Sequence, residues 1–461
     1  MKGTHRKTLL GTSVVALCVT MAIGTAVGCS PAPTPVAATG GDTAVEQDAE
    51  DGGRKTMEEW GELYPLQYGS YAVTDIKSDG QYHSHYDLKQ KMLAPAERFL
   101  RDDGQYHTRL LSDGEVGYND EGNITISGMW YDSKNKHWVV NEDVFGDLSG
   151  TRERMGCYSC KSSTFNDIYE RDGAEIFGEK LTDEFVDEVN GQVWDCGTCH
   201  DGDPGTTSPD AQLPLWSQLS RDAFDSFDAK ERVCGQCHNS LDYRSHITDQ
   251  ETMDSFNPYK YGVDIDSLHK AVVEDGVYSI DEDTGILLTC FDHPDLEFNQ
   301  GSAMRELGVT CVDCHMATTA DAESGKEFTS HNASGSPLEN PAAIEYCLTC
   351  HKSQGINSAD EMVKMVRDLQ AETTDKLEAL QVKMDQAYEL IKAANQNGGV
   401  DETTLQQARD DYSIAYSYHY AVCGDVGDEP LGTKVVHNPT AAADYIAKTD
   451  QLLDGVIAAL S

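Results

Sequence analysis

The chain is short of positive charge, of long apolar segments and of strand-like patterns. Its 461 residues carry 35 Lys and Arg against 79 Asp and Glu, a formal net charge of −44. This acidic excess argues against nucleic acid and anionic membrane surfaces as partners. After the first 29 residues, no segment is long and apolar enough to span a bilayer. With 39% apolar residues, the chain still has enough to form one large domain or two ordinary ones.

The long apolar segment lies in residues 1–29. Basic residues precede an apolar run over 8–27, and the small residues AVG lead into Cys29. This pattern is typical of a lipoprotein export signal with Cys29 lipidated. The alternative is an uncleaved membrane helix. Both place the body outside the cytoplasm, at the outer face of the cytoplasmic membrane or in the periplasm. Residues 30–56, rich in Pro, Ala, Gly and then acidic residues, predict a flexible stalk.

Ten of the 14 cysteines form five C-x-x-C units. Thiols at i and i+3 share one side of a helical turn, where they can bond the two vinyl groups of one porphyrin, and the next residue can reach the iron. A zinc knuckle or disulfide is the alternative for a single unit, but five units do not pair into four-ligand sets. The sequence therefore predicts five covalent c-type haems. The pairs are Cys157 and Cys160, Cys196 and Cys199, Cys234 and Cys237, Cys311 and Cys314, and Cys347 and Cys350. The predicted proximal iron ligands are Lys161, His200, His238, His315 and His351.

Lys161 ends the first unit, CYSCK, where the other four units have histidine. One interpretation is a degenerate motif, or a haem that lacks a proximal protein ligand. The other is that a neutral lysine amine ligates the iron. Binding to the metal must then drive loss of the lysine proton, because a free lysine has a pKa of about 10.4. A lysine is a pure σ-donor, so this iron would differ electronically from the others.

The order of one CxxCK followed by four CxxCH units resembles the pentahaem, ammonia-forming cytochrome c nitrite reductases. The resemblance runs from about residue 131 to the C-terminus, and the motif order is highly specific. It implies that the Lys161 haem is catalytic and that the other four carry electrons. The implied reaction converts nitrite, six electrons and eight protons to ammonium and two waters.

The same resemblance implies distal iron ligands. FTSH gives His331 to the second haem, YDSKNKHWVV gives His137 to the third, and VVHNP gives His437 to the fourth. For the fifth haem, the family has a histidine eleven residues after its active-site histidine, and this chain has Met304 there. Met304 is either that ligand or a core-filling residue. In the second case another histidine takes the place, from His83, His85, His107, His246 and His269.

Catalytic residues follow from the resemblance as well. His293 in CFDHPDLEF matches an active-site histidine and would deliver protons. GTRERMG leaves Arg152 and Arg154 both open as the anion-binding arginine. Tyr243 in CHNSLDYR arrives two residues later than the family's active-site tyrosine, and an ordinary loop tyrosine is the alternative.

Calcium and a disulfide are two open expectations. Asp242 and Asp292 stand where the family has calcium ligands, and carboxylate oxygens suit that ion, although some members of the family lack it. Cys290 and Cys423 lie outside the five units and are candidates for a disulfide in an exported protein.

The predicted fold is mainly α and loop-rich, with porphyrins filling the core of a catalytic domain over residues 57–357. Residues 358–461 keep apolar residues at three- and four-residue intervals, broken by Gly398-Gly399, and predict two or three long helices. In the resembled family these helices make a homodimer contact. The family also implies a membrane quinol-oxidising multihaem cytochrome as electron donor.

Two other functions stay open at this point. One is a reductase of the same build that acts on hydroxylamine or sulfite, which pocket geometry would decide. The other is a non-catalytic extracellular electron-transfer cytochrome, which a six-coordinate lysine haem without an open site would favour.

Overall fold

The structure is a computed structural model. It describes residues 55–72, 155–179, 183–189, 194–213, 226–240, 247–255, 257–289, 291, 294–333, 335–423 and 432–461, and the backbone of short strands at 98–100, 106–108, 116–118, 124–126, 129–132 and 137–140. The described residues belong to one compact unit.

Helices dominate the described residues, so the predicted fold class, mainly α with long C-terminal helices, is confirmed. The helices are α1 (Met57–Leu63), α2 (Pro65–Tyr71), α3 (Thr164–Asp172), α4 (Asp183–Val189), α5 (Ala229–Gly235), α6 (Gln250–Ser255), α7 (Ile265–Asp275), α8 (Asp295–Phe298), α9 (Ala303–Glu306), α10 (Cys311–His315), α11 (Pro341–His351), α12 (Ala359–Asn397), α13 (Glu402–Cys423) and α14 (Pro439–Leu460). Short 3₁₀ helices cover Met155–Cys160, Ala174–Phe177, Cys196–Thr198, Pro337–Glu339, Lys352–Gln354 and Thr433–His437.

Three long C-terminal helices pack against one another. Helix α12 runs for 39 residues, from the capping side chain of Ser358 to Gly398, whose φ of 68° is a conformation that glycine adopts readily. Its three- and four-residue apolar spacing buries one stripe against α13 and α14. The shared core contains Leu380, Met384, Ala387, Ile391, Leu405, Ala408, Tyr412, Ala415, Leu453 and Val456. The glycine break predicted at Gly398 is therefore confirmed.

A separate aromatic core supports the first cysteine unit. Phe165 and Phe177 are fully buried, and their rings meet edge to face with centroids 5.2 Å apart. Tyr158, inside CYSCK, meets Phe185 in the same way at 5.4 Å. Such contacts add to the hydrophobic stabilisation of burial itself, so the residue between the two cysteines anchors this unit in the core.

Short antiparallel strands are present although the sequence shows little strand pattern. The strands are β1 (Arg98–Leu100), β2 (Tyr106–Thr108), β3 (Val116–Tyr118), β4 (Ile124–Ile126), β5 (Met129–Asp132), β6 (His137–Val140), β7 (Ser279–Ile280), β8 (Leu287–Leu288), β9 (Thr318–Ala320) and β10 (Glu327–Thr329). Strands β3 to β6 form a four-stranded meander, and the others form two-stranded hairpins. Each strand has two to four residues, which is too short for alternation to stand out in the sequence.

Across the described part of the chain, no helix is both long enough and apolar enough to cross a membrane.

Candidate functional site

Cysteine pairs lie on helical turns wherever the structure describes them. The first pair is in the 3₁₀ turn Met155–Cys160, the second begins the 3₁₀ turn Cys196–Thr198 and ends at its C-cap, Cys199, and the fourth is in α10. The third pair begins in α5, and the fifth occupies the last turn of α11. Residues i and i+3 face the same side of such a turn. The two thiols of the second to fifth units are therefore placed to reach one porphyrin each.

Hydrogen bonds connect the segments of the first and second units next to Lys161. The Lys161 carbonyl oxygen accepts a hydrogen bond from the Trp194 amide at 2.6 Å. Trp194 has a φ of 43°, a left-handed conformation that is strained for a bulky residue. The next residue, Asp195, is buried and accepts hydrogen bonds from Ser163 at 2.9 Å and Thr198 at 3.0 Å. The Lys161 side chain, next to these hydrogen bonds, is half-buried.

The remaining units also meet in chain order. Gln236, inside the third unit, is buried and donates to the Thr198 carbonyl of the second unit at 2.8 Å. A hydrogen bond between Cys234 and Cys311 connects the third and fourth units. This bond and burial raise the pKa of the Cys311 thiol. Cys314 of the fourth unit lies near Cys347 of the fifth unit. Burial and this neighbour raise the pKa of the Cys314 thiol to about 12. The five units therefore form a continuous series.

His200 and His331 lie close enough to each other for their charges to interact. His200 Nδ1 lies 3.4 Å from the Thr207 carbonyl oxygen, and His331 Nδ1 lies 2.9 Å from that of Thr329. Burial lowers the pKa of both rings, and His331 lowers that of His200 further. With Nδ1 donating to a carbonyl, the Nε2 lone pair of each ring is left for a metal. This arrangement suits the second haem.

His315 and His437 have the spacing of two imidazoles on one iron. Their ring centroids are 6.1 Å apart, with the planes at 53°. Two metal–nitrogen bonds of about 2 Å, with each ring centre just behind its nitrogen, give a separation of about 6 Å. His315 Nδ1 lies 3.1 Å from the Ala333 carbonyl, and burial and His437 lower its pKa to about 4. The pair therefore fits a bis-histidine haem at the fourth unit.

His238, the proximal histidine of the third unit, is held by a carboxylate. Its Nδ1 lies 3.1 Å from Asp295 Oδ2, and the other oxygen of Asp295 lies 3.3 Å from His437 Nδ1. Lys434 Nζ is 3.3 Å from Oδ2. Burial disfavours the carboxylate, but Lys434 and the two histidines outweigh it and hold the Asp295 pKa well below its usual range.

The fifth unit is less complete. His351 Nδ1 is buried and has no hydrogen-bond partner within the described part of the chain, and burial lowers the pKa of the ring. Met304 is half-buried in α9. Its neighbour Arg305 donates to the buried Glu231 at 2.8 Å, which ties α9 to the third-unit helix α5. Met304 as a ligand of the fifth haem stays a prediction.

Several predicted residues lie outside the described residues. These are Cys29, Arg152, Arg154, Asp242, Tyr243, Cys290, Asp292 and His293. His137 is described only as backbone, at the start of β6. The described residues contain no group of three or more His, Cys, Asp or Glu that could hold a metal ion. Calcium therefore stays a prediction. So does the disulfide: Cys423 is buried, with its sulfur 3.4 Å from His419 Nδ1.

Glu297 is a buried acid that sequence reasoning missed. Its Oε1 accepts from the Tyr259 hydroxyl at 2.6 Å and from the Ser240 hydroxyl at 2.9 Å, while Oε2 has no partner among the described residues. Burial raises the Glu297 pKa to about 7 against those hydrogen bonds. Glu297 and Asp295 directly follow His293-Pro294 in FDHPDLEF. The sequence signal that could have identified Glu297 is the presence of two acids in a short apolar segment beside a predicted catalytic histidine.

These features define a c-type cytochrome: cysteine pairs on helical turns, a metal-ligating residue type after each pair, and neutral histidines spaced for iron. The chain belongs to the cytochrome c552 family, whose model matches residues 129–453. The family resemblance inferred from the motif order is confirmed.

Two relatives illustrate the distance within the family. A cytochrome c-552 of Haemophilus ducreyi is 23% identical over 356 residues, 74% of this chain and 63% of the relative. The cytochrome c nitrite reductase subunit NrfA of Nitratidesulfovibrio vulgaris is 24% identical over 319 residues, 64% of this chain and 58% of the relative. The chain thus spans less than two thirds of the length of these relatives.

A solved structure shares the fold. The cytochrome c nitrite reductase catalytic subunit of Desulfovibrio desulfuricans, which has two calcium sites, aligns with a TM-score of 0.58 at 17% identity. The alignment covers 88% of this chain and 86% of that one. The likeness therefore extends over the helical architecture as a whole.

Proposed function

We propose that this protein reduces nitrite to ammonium at the haem carried by Cys157, Cys160 and Lys161. The reaction consumes one nitrite, six electrons and eight protons and releases one ammonium and two waters. The observation that carries the proposal is the lysine at the first unit, followed by four histidine units. Family membership and a relative named as a nitrite reductase subunit support it.

The chain's own residues divide the work around nitrite. When bound, the haem supplies an iron site for the nitrite nitrogen and the route for electrons. Arg152 or Arg154 holds the anion and stabilises negative charge as the N–O bonds break. His293 and Tyr243 donate the protons that turn the departing oxygens into water. Lys161 would be the protein ligand of that iron.

The other four haems, held by His200, His238, His315 and His351, carry electrons. His331 and His437 would be the second protein ligands of the second and fourth haems, and the Nδ1 contacts of His200, His331 and His315 with backbone carbonyls support these assignments. His137 and Met304 are the assigned distal ligands of the third and fifth. Contacts between consecutive units support one continuous path to the catalytic haem.

The N-terminal sequence and the family resemblance support a proposal for the setting of the protein. The chain is exported and lipid-anchored at Cys29, with residues 30–56 as its stalk. It receives electrons from a membrane quinol-oxidising multihaem cytochrome and pairs as a homodimer through its C-terminal helices. Asp242 and Asp292 would be ligands of a calcium ion.

The test is ammonium yield from nitrite, with a chemically reduced viologen dye as electron source. Wild-type holoprotein is compared with a His293→Ala variant carrying the same number of haems. We expect six dye electrons consumed per ammonium formed by the wild type. We expect a fall of about 10² or more in kcat for the variant, since a positioned acid contributes about that factor.

Other substrates are measured in the same assay. Rapid sulfide formation from sulfite without ammonium from nitrite would replace the proposal with a sulfite reductase. Turnover of hydroxylamine alone would replace it with a hydroxylamine reductase. Oxidation of only as many dye equivalents as there are haems, with no product from any of the three, would make the protein an electron-transfer cytochrome.

A further inference from the structure

Asp295 touches two histidines that belong to different haem units. Its Oδ2 lies 3.1 Å from Nδ1 of His238, in the third unit, and its Oδ1 lies 3.3 Å from Nδ1 of His437, which pairs with His315 of the fourth. The Asp295 side chain is only 17% exposed. One carboxylate is therefore shared between the ligand sets of two irons.

The backbone fixes Asp295 in that place. The Leu296 amide donates to the His238 carbonyl oxygen at 3.1 Å, so α8 is bonded to the third unit. Asn438, the residue after His437, donates to the Phe298 carbonyl at 3.0 Å, so the other end of α8 is bonded to the His437 segment. Helix α8 thus bridges the two histidines independently of the carboxylate.

Other ligand histidines have a different partner. Nδ1 of His200, His331 and His315 faces backbone carbonyls, of Thr207, Thr329 and Ala333 respectively. An imidazole whose Nδ1–H is bonded to a carboxylate is a stronger donor to its metal than one bonded to a neutral carbonyl. Stronger donation and nearby negative charge both favour ferric over ferrous iron and lower the reduction potential.

We propose that Asp295 lowers the reduction potentials of two haems at once, the one on His238 and the one between His315 and His437. This inference rests on the haem assignments of the proposed function, but not on the substrate. Asp295 acts through the histidines and is a positioning residue. Lys434, 3.3 Å from Oδ2, offsets part of the charge and so moderates the effect.

The test is a potentiometric titration of the holoprotein, followed by optical absorption and electron paramagnetic resonance. In Asp295→Asn the negative charge beside both imidazoles is lost, and the single amide oxygen can face only one of the two Nδ1 atoms. At a fixed potential, we expect the ferrous-to-ferric ratio of two haems to rise about tenfold or more, a shift of about 59 mV for a one-electron couple. The other three potentials should stay where they are.

Two further variants separate tuning from general damage. Asp295→Glu keeps the charge and should return the two potentials towards wild type. Asp266→Asn removes a carboxylate that bonds Tyr418 and Lys448, and should move none of the five. No shift in Asp295→Asn, or an equal shift of all five haems, would overturn the proposal.

Lys434→Met covers the case in which Asp295→Asn fails to load haem. Removing the cation beside the carboxylate should lower the same two potentials, and unchanged potentials there would also overturn the proposal. Ammonium yield from nitrite is measured separately on the wild type. Two shifted potentials without wild-type ammonium would sink the nitrite reductase assignment and leave this inference standing. Ammonium formation by the wild type without any shift in the variants would support the nitrite reductase assignment and overturn this inference.

Discussion

The Trp194 amide donates to the Lys161 carbonyl oxygen at 2.6 Å, and Trp194 makes this bond from a φ of 43°. The residue that replaces histidine in the first unit is thus held, at its backbone, by the segment leading into the second unit. Left-handed backbone costs an L-residue roughly 1–2 kcal/mol. The surrounding contacts must outweigh that cost.

The strain at Trp194 predicts an unusual order of stability between two small substitutions. Both Trp194→Ala and Trp194→Gly lose the indole packing, but only glycine adopts a positive φ freely. We expect the glycine variant to be more stable than the alanine variant by about 1 kcal/mol. Denaturant unfolding of the two variants side by side measures this difference. Equal stability, or a more stable alanine variant, would show that the positive φ is not retained.

Lys161→His tests the lysine directly. The substitution turns CYSCK into the sequence of the other four units and exchanges a σ-donor amine for an imidazole. We expect five haems to remain attached while the kcat for ammonium formation falls about tenfold or more, because changes even beyond the ligand shell cost 10–100-fold at metal sites. A haem count by absorbance serves as control. A variant with five haems and wild-type kcat would contradict the role given to Lys161.

The net charge of −44 predicts a salt dependence. An acidic surface repels nitrite, and screening shortens the reach of that field from about 30 Å at 0.01 M salt to about 8 Å at 0.15 M. We expect kcat/KM for nitrite to rise several-fold over this range, since steering effects on association are of that order or larger. Hydroxylamine, uncharged at neutral pH, should show a flat profile. Parallel profiles for the two substrates would rule out surface steering.

Glu297 predicts a pH effect on stability. Its folded pKa is raised from 4.5 to about 7 by burial, so the folded state binds the proton more tightly than the unfolded state. The sign follows: stability is full below pH 4.5 and is lost as pH rises towards 7, by about 3 kcal/mol in all at 1.36 kcal/mol per pH unit. Glu297→Gln keeps the shape without the charge.

Denaturation midpoints of wild type and Glu297→Gln between pH 4.5 and 7.5 measure this effect. The glutamine variant should gain on the wild type as pH rises and keep a constant lead above pH 7. The gap should close at the acid end, where both residues are neutral. A gap that does not change with pH would mean that the Glu297 pKa is the same in the folded and unfolded states.

Local patterns predict local features of this chain well. The three- and four-residue spacing from Ser358 onward and the break at Gly398 depend on residues close in sequence, and both match the structure. The pairing of His315 with His437 spans 122 positions and was reached only through family resemblance. Asp295 and Trp194 were missed because their roles depend on partners far along the chain. Strands of two to four residues were missed because they are too short to show a period.

Helix α12 acts as a strut between distant parts of the chain. At 1.5 Å per residue its 39 residues extend about 58 Å. Its first turn follows closely on His351, and near its far end Lys392 pairs with Asp283 in the β7–β8 hairpin. Segments tied to one stiff, well-packed helix open together rather than separately. The fifth unit and the β7–β8 hairpin should therefore unfold together in one cooperative event. Amide hydrogen exchange should then show one common, slow rate along the middle of α12.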